Sequence, residues 1–441
     1  MNTTCRQCLG LMVAFLASLS WGGGVECAAA NWELTTAGEY EVTADTSYSG
    51  VYYRQAAASD VITVTVKNKA TLTVTNSLLM GDKSTSRVCN LIIDDGNLRL
   101  SGSTSSGGDY IYGKYNLVGH YPNSTSTIQL KSGTLVVDNH LNLGWHSKGT
   151  LTIDGGTATI ENIGFNSSDR KNASGSPYYG INANCWGTLN LNGGVLKLGT
   201  IESRQQTYYP NNYTINLSGG TLQPKNTMLT VGLNGTLTSG KTTTFHADAG
   251  QTLEWSGNLS GAGGLTKTGA GTLVLSGANN YAGKTTVEAG TLQLDGSVTG
   301  AVELLDDAIL TGEGTFGSLA FAGNGQILTS VGLDASSVEG LTILGDAVLQ
   351  EGMFDFLFED IHAVKDQPMQ IFSAKSYSGW DGALDALLAD AWQGVIHLNL
   401  ENGGIYATVD AAAIPEPATW LLGLLGLAFL LGRRGKSVKI R

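Results

Sequence analysis

The stretch Leu189-Asn-Leu-Asn-Gly-Gly-Val-Leu-Lys-Leu198 contains two runs of alternating apolar and polar residues, joined by a pair of glycines. Alternation places every second side chain on the same face of a short strand. Glycine supplies the positive φ that a sharp bend needs. The stretch therefore predicts a strand, a bend and a second strand.

Variants of this unit recur at residues 91–100, 128–137, 151–160, 215–222 and 288–294. Such a unit cannot bury its apolar face alone, and it does so by stacking on the next copy. We therefore expect an all-β chain whose residues 30–340 fold as a right-handed parallel β-helix, or solenoid. The expected coils number about a dozen and are spaced ~4.8 Å apart.

The composition supports an elongated β structure. The 441 residues include 60 glycines and 7 prolines, with 42% hydrophobic and 14% charged residues, which suits neither an ordinary α/β enzyme nor a disordered chain. The net charge is −12, and without residues 1–29 and 418–441 the chain has 19 Lys and Arg against 36 Asp and Glu. This acidic body repels phosphate backbones, so we expect no nucleic-acid partner.

Residues 1–29 are typical of a secretory signal peptide. Arg6 precedes an apolar segment at residues 9–19, and small residues follow at 27–30. Removal of this segment leaves Cys89 and Cys185. Three coils would separate them by ~14 Å, beyond the reach of a disulfide, so we expect two separate thiols.

Three insertions interrupt the alternation, at residues 101–126, 166–185 and 204–213, and all are rich in tyrosine and small polar residues. Insertions of solenoids project from one face. Their tyrosines could stack on the sugars of an exopolysaccharide or a surface glycan, because tyrosine offers a flat apolar ring with a polar tip. Alternatively, these segments fold back over the solenoid, and the sequence leaves both interpretations open.

Residues 257–294 carry a longer motif. Its matching positions are Leu265, Lys267, Gly269, Gly271, Leu273, Asn280, Tyr281, Gly283, Thr285, Val287, Gly290 and Leu292. The segment resembles the autotransporter-associated β-strand repeat. The resemblance implies a parallel β-helix in a surface-directed bacterial protein, and no catalytic residues come with it.

Residues 341–412 have less glycine and more aromatic residues. The spacing between Trp380 and Trp392 predicts a short amphipathic helix, and two alternating runs around residues 401–403 predict a hairpin. We expect this region to form a C-terminal cap of strands and a short helix.

Residues 413–441 contain Pro415, Glu416 and Pro417, an apolar segment at 418–432, and a basic end that starts with Arg433 and Arg434. As a helix the apolar segment is ~22 Å long, short of the ~30 Å hydrocarbon core, and its basic end should stay in the cytoplasm. The order resembles the PEP-CTERM sorting signal. The resemblance implies a transmembrane anchor in the inner membrane, cleavage near Pro415–Pro417 by an exosortase-type transpeptidase, and delivery of the body to the outer surface or matrix.

Few residues suggest chemistry. Residues 312–317 match G-x-G-x-x-G, but an alternating segment follows where a dinucleotide site needs a helix, so we expect no cofactor. His140 and His146 have no third ligand at metal spacing, so we expect no metal. Asp94, Lys131, Asp154 and Asn192 precede equivalent bends, which favours ordinary turn chemistry.

Threonine runs at residues 63–65 and 71–75 are similar to those on flat ice-binding faces, but the pattern in the sequence stops after two strands. Threonine is also a good strand residue. We therefore do not expect ice binding.

These observations predict an exported, non-enzymatic structural or surface and matrix interaction protein. The alternative is a carbohydrate-active β-helix enzyme or a glycan-binding adhesin. An enzyme of that kind would need carboxylates or basic residues clustered in a groove.

Overall fold

The computed structural model describes residues 31–53, 61–81, 87–102, 116–120, 123–145, 147–165, 185–203, 212–331, 340–358, 361, 364 and 366–410. These residues form three sheets of 9, 19 and 7 strands, which we call sheets 1, 2 and 3. Strands one coil apart pair in parallel, as in the stacked ladders of a solenoid. The all-β fold and its parallel stacking are confirmed, and the right-handed sense stays a prediction.

Sheet 1 comprises β2 (Gly38–Val42), β4 (Val61–Val66), β6 (Arg87–Ile93), β9 (Ser124–Leu130), β11 (Lys148–Ile153), β13 (Trp186–Leu191), β15 (Tyr213–Leu217), β18 (Gly235–Leu237) and β21 (Leu259–Gly261). Sheet 3 comprises β17 (Met228–Val231), β20 (Thr252–Trp255), β23 (Thr272–Leu275), β26 (Gly290–Leu294), β28 (Ala308–Thr311), β30 (Gln326–Val331) and β32 (Phe354–Phe358).

Sheet 2 comprises β1 (Trp32–Leu34), β3 (Thr46–Tyr53), β5 (Thr71–Met80), β7 (Gly96–Leu100), β8 (Asn116–Val118), β10 (Gly133–Leu143), β12 (Thr157–Phe165), β14 (Val195–Ser203), β16 (Thr221–Pro224), β19 (Thr242–His246), β22 (Gly264–Thr268), β24 (Ala278–Asn279), β25 (Thr285–Val287), β27 (Ser297–Leu304), β29 (Thr315–Phe321), β31 (Leu341–Val348), β33 (Pro368–Ser378), β34 (Ile396–Glu401) and β35 (Gly404–Val409).

The core is a set of columns, because each strand pairs in register with the strand of the next coil. Leu151 of β11 pairs with Ile128 on one side and with Leu189 on the other, and all three are buried. Leu191 and Leu196 also face the core, as the alternation predicts. Each such side chain contributes about 1.5–3 kcal/mol by leaving water.

The bends of neighbouring coils stack as closely as the strands. Gly133 and Gly156 have φ of +84° and +67°. A Cβ on Gly133 would lie 1.9 Å from the carbonyl oxygen of Gly96, and a Cβ on Gly156 would lie 2.4 Å from that of Gly133. Glycine is therefore required here both by the backbone conformation and by the close approach of the next coil.

The C-terminal region differs from the expectation in two ways. The parallel ladder continues past residue 340, since β31 pairs with β29 and with β33. The predicted helix near Trp380 is only a single 3-10 turn at Leu384–Leu387, followed by a bridge from Leu388 to Phe354 that returns the chain to the ladder. Apolar side chains of this aromatic segment still alternate between the core and the surface. The change of composition after residue 340 therefore does not end the stack of coils.

The predicted hairpin is confirmed. Strands β34 and β35 pair antiparallel, and β35 also pairs antiparallel with β33. The last parallel strand is thereby covered along that edge, which limits further strand pairing there.

Both termini lie outside the described residues. These segments are the predicted signal peptide (residues 1–29) and the sorting signal (residues 413–441), with its helix at 418–432 and its residues Pro415, Glu416, Pro417, Arg433 and Arg434. They stay predictions. Across the part of the chain that the structure describes, no helix has the length and hydropathy to cross a bilayer.

Most of the tyrosine-rich insertions also lie outside the described residues, but Tyr213 does not. Its ring stacks on Phe165 at a centroid distance of 5.4 Å, and its hydroxyl accepts a hydrogen bond from the backbone N–H of Asn234 at 3.0 Å. At this position the tyrosine folds back onto the solenoid.

The two cysteines occupy separate coils. Cys89 lies on β6 and Cys185 directly precedes β13, with β9 and β11 stacked between those strands. Both are buried thiols. Three coil spacings amount to ~14 Å, which supports the prediction that they do not bridge.

Candidate functional site

The motif at residues 257–294 contributes β21 to β26 and lies in the middle of the ladder. Leu265, Leu273, Val287 and Leu292 are fully buried. These positions follow the alternation in the sequence, so their burial was predictable.

One buried position of this motif is charged. Lys267 is paired with Phe245 in the preceding coil and with Val287 in the next, and its exposed fraction is 0%. It therefore occupies a core column that elsewhere holds apolar side chains. A buried ammonium is costly unless all its donors are hydrogen-bonded.

The Lys267 ammonium has three carbonyl acceptors. Its Nζ donates to the backbone oxygens of Thr268 at 2.9 Å, Gly269 at 2.7 Å and Ala289 at 3.0 Å. Burial lowers the pKa of Lys267 to about 8, while carbonyl acceptors favour the charged form. The side chain thus links the bend of its own coil to the backbone of the next one.

Other buried polar groups of the motif are also paired. The hydroxyl of Tyr281 lies 2.5 Å from Oγ1 of Thr285, and burial raises the pKa of Tyr281 while this hydrogen bond lowers it. Oδ1 of Asn279 accepts from the N–H of Leu259 at 2.9 Å, and its Nδ2 donates to the carbonyl of Gly277 at 2.9 Å. The bond from Leu259 to Asn279 joins neighbouring coils, while the other two bonds fix the chain within one coil.

Sequence reasoning missed an outward group centred on His246. Nδ1 of His246 lies 2.9 Å from Oγ1 of Thr268, and Nε2 lies 3.0 Å from Oδ1 of Asp248. Oδ2 of Asp248 accepts from Nε2 of Gln223 at 2.8 Å. An imidazole between a hydroxyl and a carboxylate can accept the hydroxyl proton while the carboxylate orients the ring.

The side chains of His246 and Asp248 are 30% and 61% exposed, so this group lies at the surface. His246 and Thr268 are brought together by the pairing of β19 with β22. The two residues are 22 positions apart in the sequence, a spacing that matches no motif. Their contact could have been predicted only from the length of this coil.

From β4 to β21 the outward face of sheet 1 carries two columns of mostly polar side chains, which we call the threonine–asparagine face; Glu39 and Glu41 of β2 precede them in the ladder. One column holds Thr63, Asn90, Thr127, Thr150, Thr188 and Thr214. The other holds Thr65, Ile92, Gln129, Thr152, Asn190, Asn216, Thr236 and Ser260. The threonine pattern extends further than the sequence indicates, because the insertions do not disturb the register.

Amides on this face are oriented by their neighbours. Nδ2 of Asn216 donates to Oδ1 of Asn190 at 2.8 Å, and Nδ2 of Asn190 lies 3.2 Å from Oγ1 of Thr152. The hydrogen-bonded chain runs along the solenoid axis, since each partner belongs to the next coil.

Trp186 borders the threonine–asparagine face at the start of β13. The residue is 40% exposed, and its indole N–H donates to Oγ1 of Thr214 at 2.9 Å. Lys148 is its partner in the preceding coil. The ring is therefore both accessible and held in one orientation.

The residues predicted to precede equivalent bends do interact along the axis. Nζ of Lys131 lies 3.7 Å from Oδ2 of Asp94, and Nδ2 of Asn192 donates to Oδ1 of Asp154 at 2.8 Å. These contacts join bends of neighbouring coils, in agreement with the predicted turn chemistry.

The remaining sequence candidates are not assembled into a site. Strand β29 begins within residues 312–317, where a dinucleotide site would need a helix. His140 is exposed on β10, and His146 lies outside the described residues. Within the described ranges, no three His, Cys, Asp or Glu side chains are grouped so that they could hold a metal ion.

Fold and motif together define a parallel β-solenoid that contains a passenger-type repeat. Residues 265–294 match the family described as Passenger-associated-transport-repeat. The match supports the predicted resemblance of this segment to autotransporter repeats. It leaves the PEP-CTERM resemblance of the tail as a proposal.

Three similarities to known proteins are informative. An extracellular serine protease of Serratia marcescens is 44% identical over 98 residues, which cover 22% of this chain and 9% of that relative. A second match to an extracellular serine protease of this organism is 32% identical over 165 residues, covering 34% and 15%. The adhesin BmaC autotransporter of Brucella suis biovar 1 (strain 1330) is 35% identical over 154 residues, covering 30% and 4%.

These relatives agree with the expectation of an exported, extracellular or surface protein. They contradict the expectation of a non-enzymatic protein, because two of the matches are to proteins named as a protease, which is an enzyme. That expectation is wrong. The chain spans less than a sixth of the length of each of these relatives.

Proposed function

We propose that this chain is an exported passenger-type β-solenoid, displayed at the cell surface or in the extracellular matrix. The supporting observation is the integration of the passenger-type repeat, residues 265–294, into a parallel ladder that runs from β1 to β33. Such a ladder folds by adding one coil to the next and presents long regular faces. Both properties suit a protein that acts outside the cell as a scaffold for contacts.

The proposal is tested by locating the full chain in a bacterium that produces it naturally. We expect it in the surface or extracellular fraction, where protease added to intact cells digests it. A periplasmic protein retained inside intact cells serves as the control. Protection of the chain to the same degree as that control would contradict surface display.

We further propose that the tail directs this display. Pro415, Glu416 and Pro417 would be recognised by an exosortase-type transpeptidase, while residues 418–432 hold the chain in the inner membrane and Arg433 and Arg434 stay in the cytoplasm. The support is the order of these three features in the sequence.

Replacing Pro415, Glu416 and Pro417 with alanine should leave unprocessed protein in the inner-membrane fraction. A matched control replaces Ser437, Val438 and Ile440 with alanine, which alters three residues of the tail without changing its charge. Normal processing of the first variant would contradict the sorting role, and so would an equal defect in the control.

A second candidate function is hydrolysis at the His246 group. The hydrogen-bonded order of Thr268, His246 and Asp248 favours it, since the imidazole could accept the Thr268 proton. The two matches named as serine protease point the same way. The purified chain should then hydrolyse p-nitrophenyl acetate, and His246→Gln should abolish the rate, with His397→Gln as the matched control. Equal rates for the chain and His246→Gln would exclude this function.

A further inference from the structure

The threonine–asparagine face differs in charge from the body that carries it. From β4 to β21 its two columns contain hydroxyl, amide and apolar side chains and no ionisable one. We propose that this face binds a neutral polysaccharide chain, lying along the solenoid axis, with Trp186 as its stacking platform. This inference rests on the proposed display of the solenoid outside the cell.

Charge selects the class of ligand. With 19 Lys and Arg against 36 Asp and Glu in residues 30–417, the body repels anionic polymers. A cationic partner would be attracted to the acidic parts of the surface and gains nothing from an uncharged face. Hydroxyl and amide groups both donate and accept hydrogen bonds, which suits the hydroxyl groups of a neutral sugar.

The regular spacing of the face suits a linear polymer. Each coil repeats similar polar groups at ~4.8 Å along the axis. A polysaccharide also presents its hydroxyl groups at regular intervals, so one chain can contact several coils. Weak contacts then add up, because each contact raises the effective concentration for the next one.

The polar groups are already oriented before a ligand arrives. The hydrogen bonds from Asn216 to Asn190 and from Asn190 towards Thr152 fix the direction of both amides. Each amide retains a second N–H that these bonds do not use. Groups held in this way lose less conformational entropy on binding.

Trp186 supplies the apolar part of the site. The residue is 40% exposed, and the hydrogen bond from its ring to Thr214 places the ring beside the first column of the face. A fixed aromatic ring offers a large contact area at low entropic cost. The apolar C–H face of a sugar ring could pack on it while its hydroxyl groups reach the neighbouring threonines.

The test is electrophoresis of the full purified chain through native gels that contain hydroxyethylcellulose, galactomannan or alginate. We expect at least one of the two neutral polymers to slow the chain, while the anionic alginate does not. Trp186→Ala should weaken the binding at least about tenfold, because exposed aromatic anchors dominate such contacts. Met228→Ala is the matched control, since Met228 is 52% exposed on sheet 3 and should leave binding unchanged.

Thermal unfolding of each variant tests whether its fold is intact, so that a loss of polysaccharide binding can be assigned to the site itself. Trp186→Phe should recover part of the binding. The inference is overturned if neither neutral polymer slows the chain, if alginate slows it equally, or if Trp186→Ala binds normally. Inhibition of ice recrystallisation without polysaccharide binding would also overturn it. These outcomes leave the fractionation test of surface display unaffected, so the two failures can be told apart.

Discussion

Two regions of the solenoid fill the same core column with different kinds of side chain: the coils around β9–β14 and the coils around β21–β26. In sheet 2 a single core column passes through Leu135, Ala158 and Leu196 in the first region and reaches Lys267 in the second. In this column the first region holds apolar side chains, although buried serines of the same coils are hydrogen-bonded elsewhere, Ser124 to Ser147 and Ser126 to the carbonyl of Met80. The second adds a buried ammonium with three carbonyl acceptors and a buried tyrosine with a hydroxyl partner.

The difference shows that a solenoid column tolerates polar groups where the backbone supplies partners. Lys267 lies beside the backbone carbonyls of Gly269 and Ala289, which would otherwise be buried without a hydrogen-bond donor. The ammonium and these carbonyls therefore satisfy each other's hydrogen-bonding capacity. Apolar columns tolerate changes of side chain as long as volume is kept, whereas a polar column requires particular partners.

The largest effect is expected from breaking a bend of the first region. Gly133→Val should lower the free energy of unfolding by about 5 kcal/mol, through backbone strain at φ +84° and overlap with the carbonyl of Gly96. Urea unfolding measures the change. Gly240→Val is the control, because Gly240 has φ +69° with no atom within 4 Å of its Cβ position, so only strain remains. Equal losses would mean that the close stacking of bends contributes nothing.

Removing the ammonium of the second region should cost about 3 kcal/mol. Lys267→Leu leaves three buried carbonyls without their donor, and this outweighs the gain from an apolar side chain. The measurement is urea unfolding at pH 7. Lys284→Leu, at a lysine that is 53% exposed and paired with Glu303, should change stability by less than about 0.5 kcal/mol. A more stable Lys267→Leu variant would show that the column prefers an apolar residue throughout.

Stability should also depend on pH through Lys267. Its pKa falls from 10.5 to about 8 on folding, so between these values the unfolded chain binds more protons and stability rises with pH. We expect a gain of about 2 kcal/mol between pH 8 and pH 10 in urea unfolding. The variant Lys267→Met should lack this gain, and an identical pH profile for both proteins would disprove the assignment. Buried Tyr281 has a raised pKa and acts in the opposite direction only above about pH 10.

The smallest effect is expected at the buried hydroxyl pair. Tyr281→Phe should cost about 1 kcal/mol by removing the partner of Thr285. Tyr406→Phe removes a surface hydroxyl that lies 3.1 Å from Gln370 and should cost less than that. Urea unfolding compares the two losses of stability. A larger loss for Tyr406→Phe would contradict the claim that the buried hydroxyl pair contributes more than the surface pair.

Local patterns predicted much of this architecture. The runs that include Leu189 and Leu191 alternate, and that alone places them in the core. The burial of Lys267 also follows from alternation with Leu265, but its acceptors do not, because Ala289 belongs to the next coil. The PEP-CTERM-like tail lies outside the described residues, and its function stays a prediction.

Contacts between coils were harder to predict, since they depend on the exact length of each coil. His246 meets Thr268, and Asn216 meets Asn190, only through pairings between strands of different coils. Insertions of variable length hide this register in the sequence. The spacing near Trp380 predicts a helix, but the segment forms only a 3-10 turn because the bridge from Leu388 to Phe354 draws it into the ladder.

Strand β35 has a mechanical consequence for a chain held by its C-terminus. It is bonded along both edges, to β33 on one side and to β34 on the other. A pulling force transmitted through residue 410 would reach this strand first, at the end where Thr408 pairs with Pro368 of β33 and Val409 pairs with Ile396 of β34. The strand can leave the fold from that end only by breaking bonds to both neighbours, so the last coil is released after two ladders have opened.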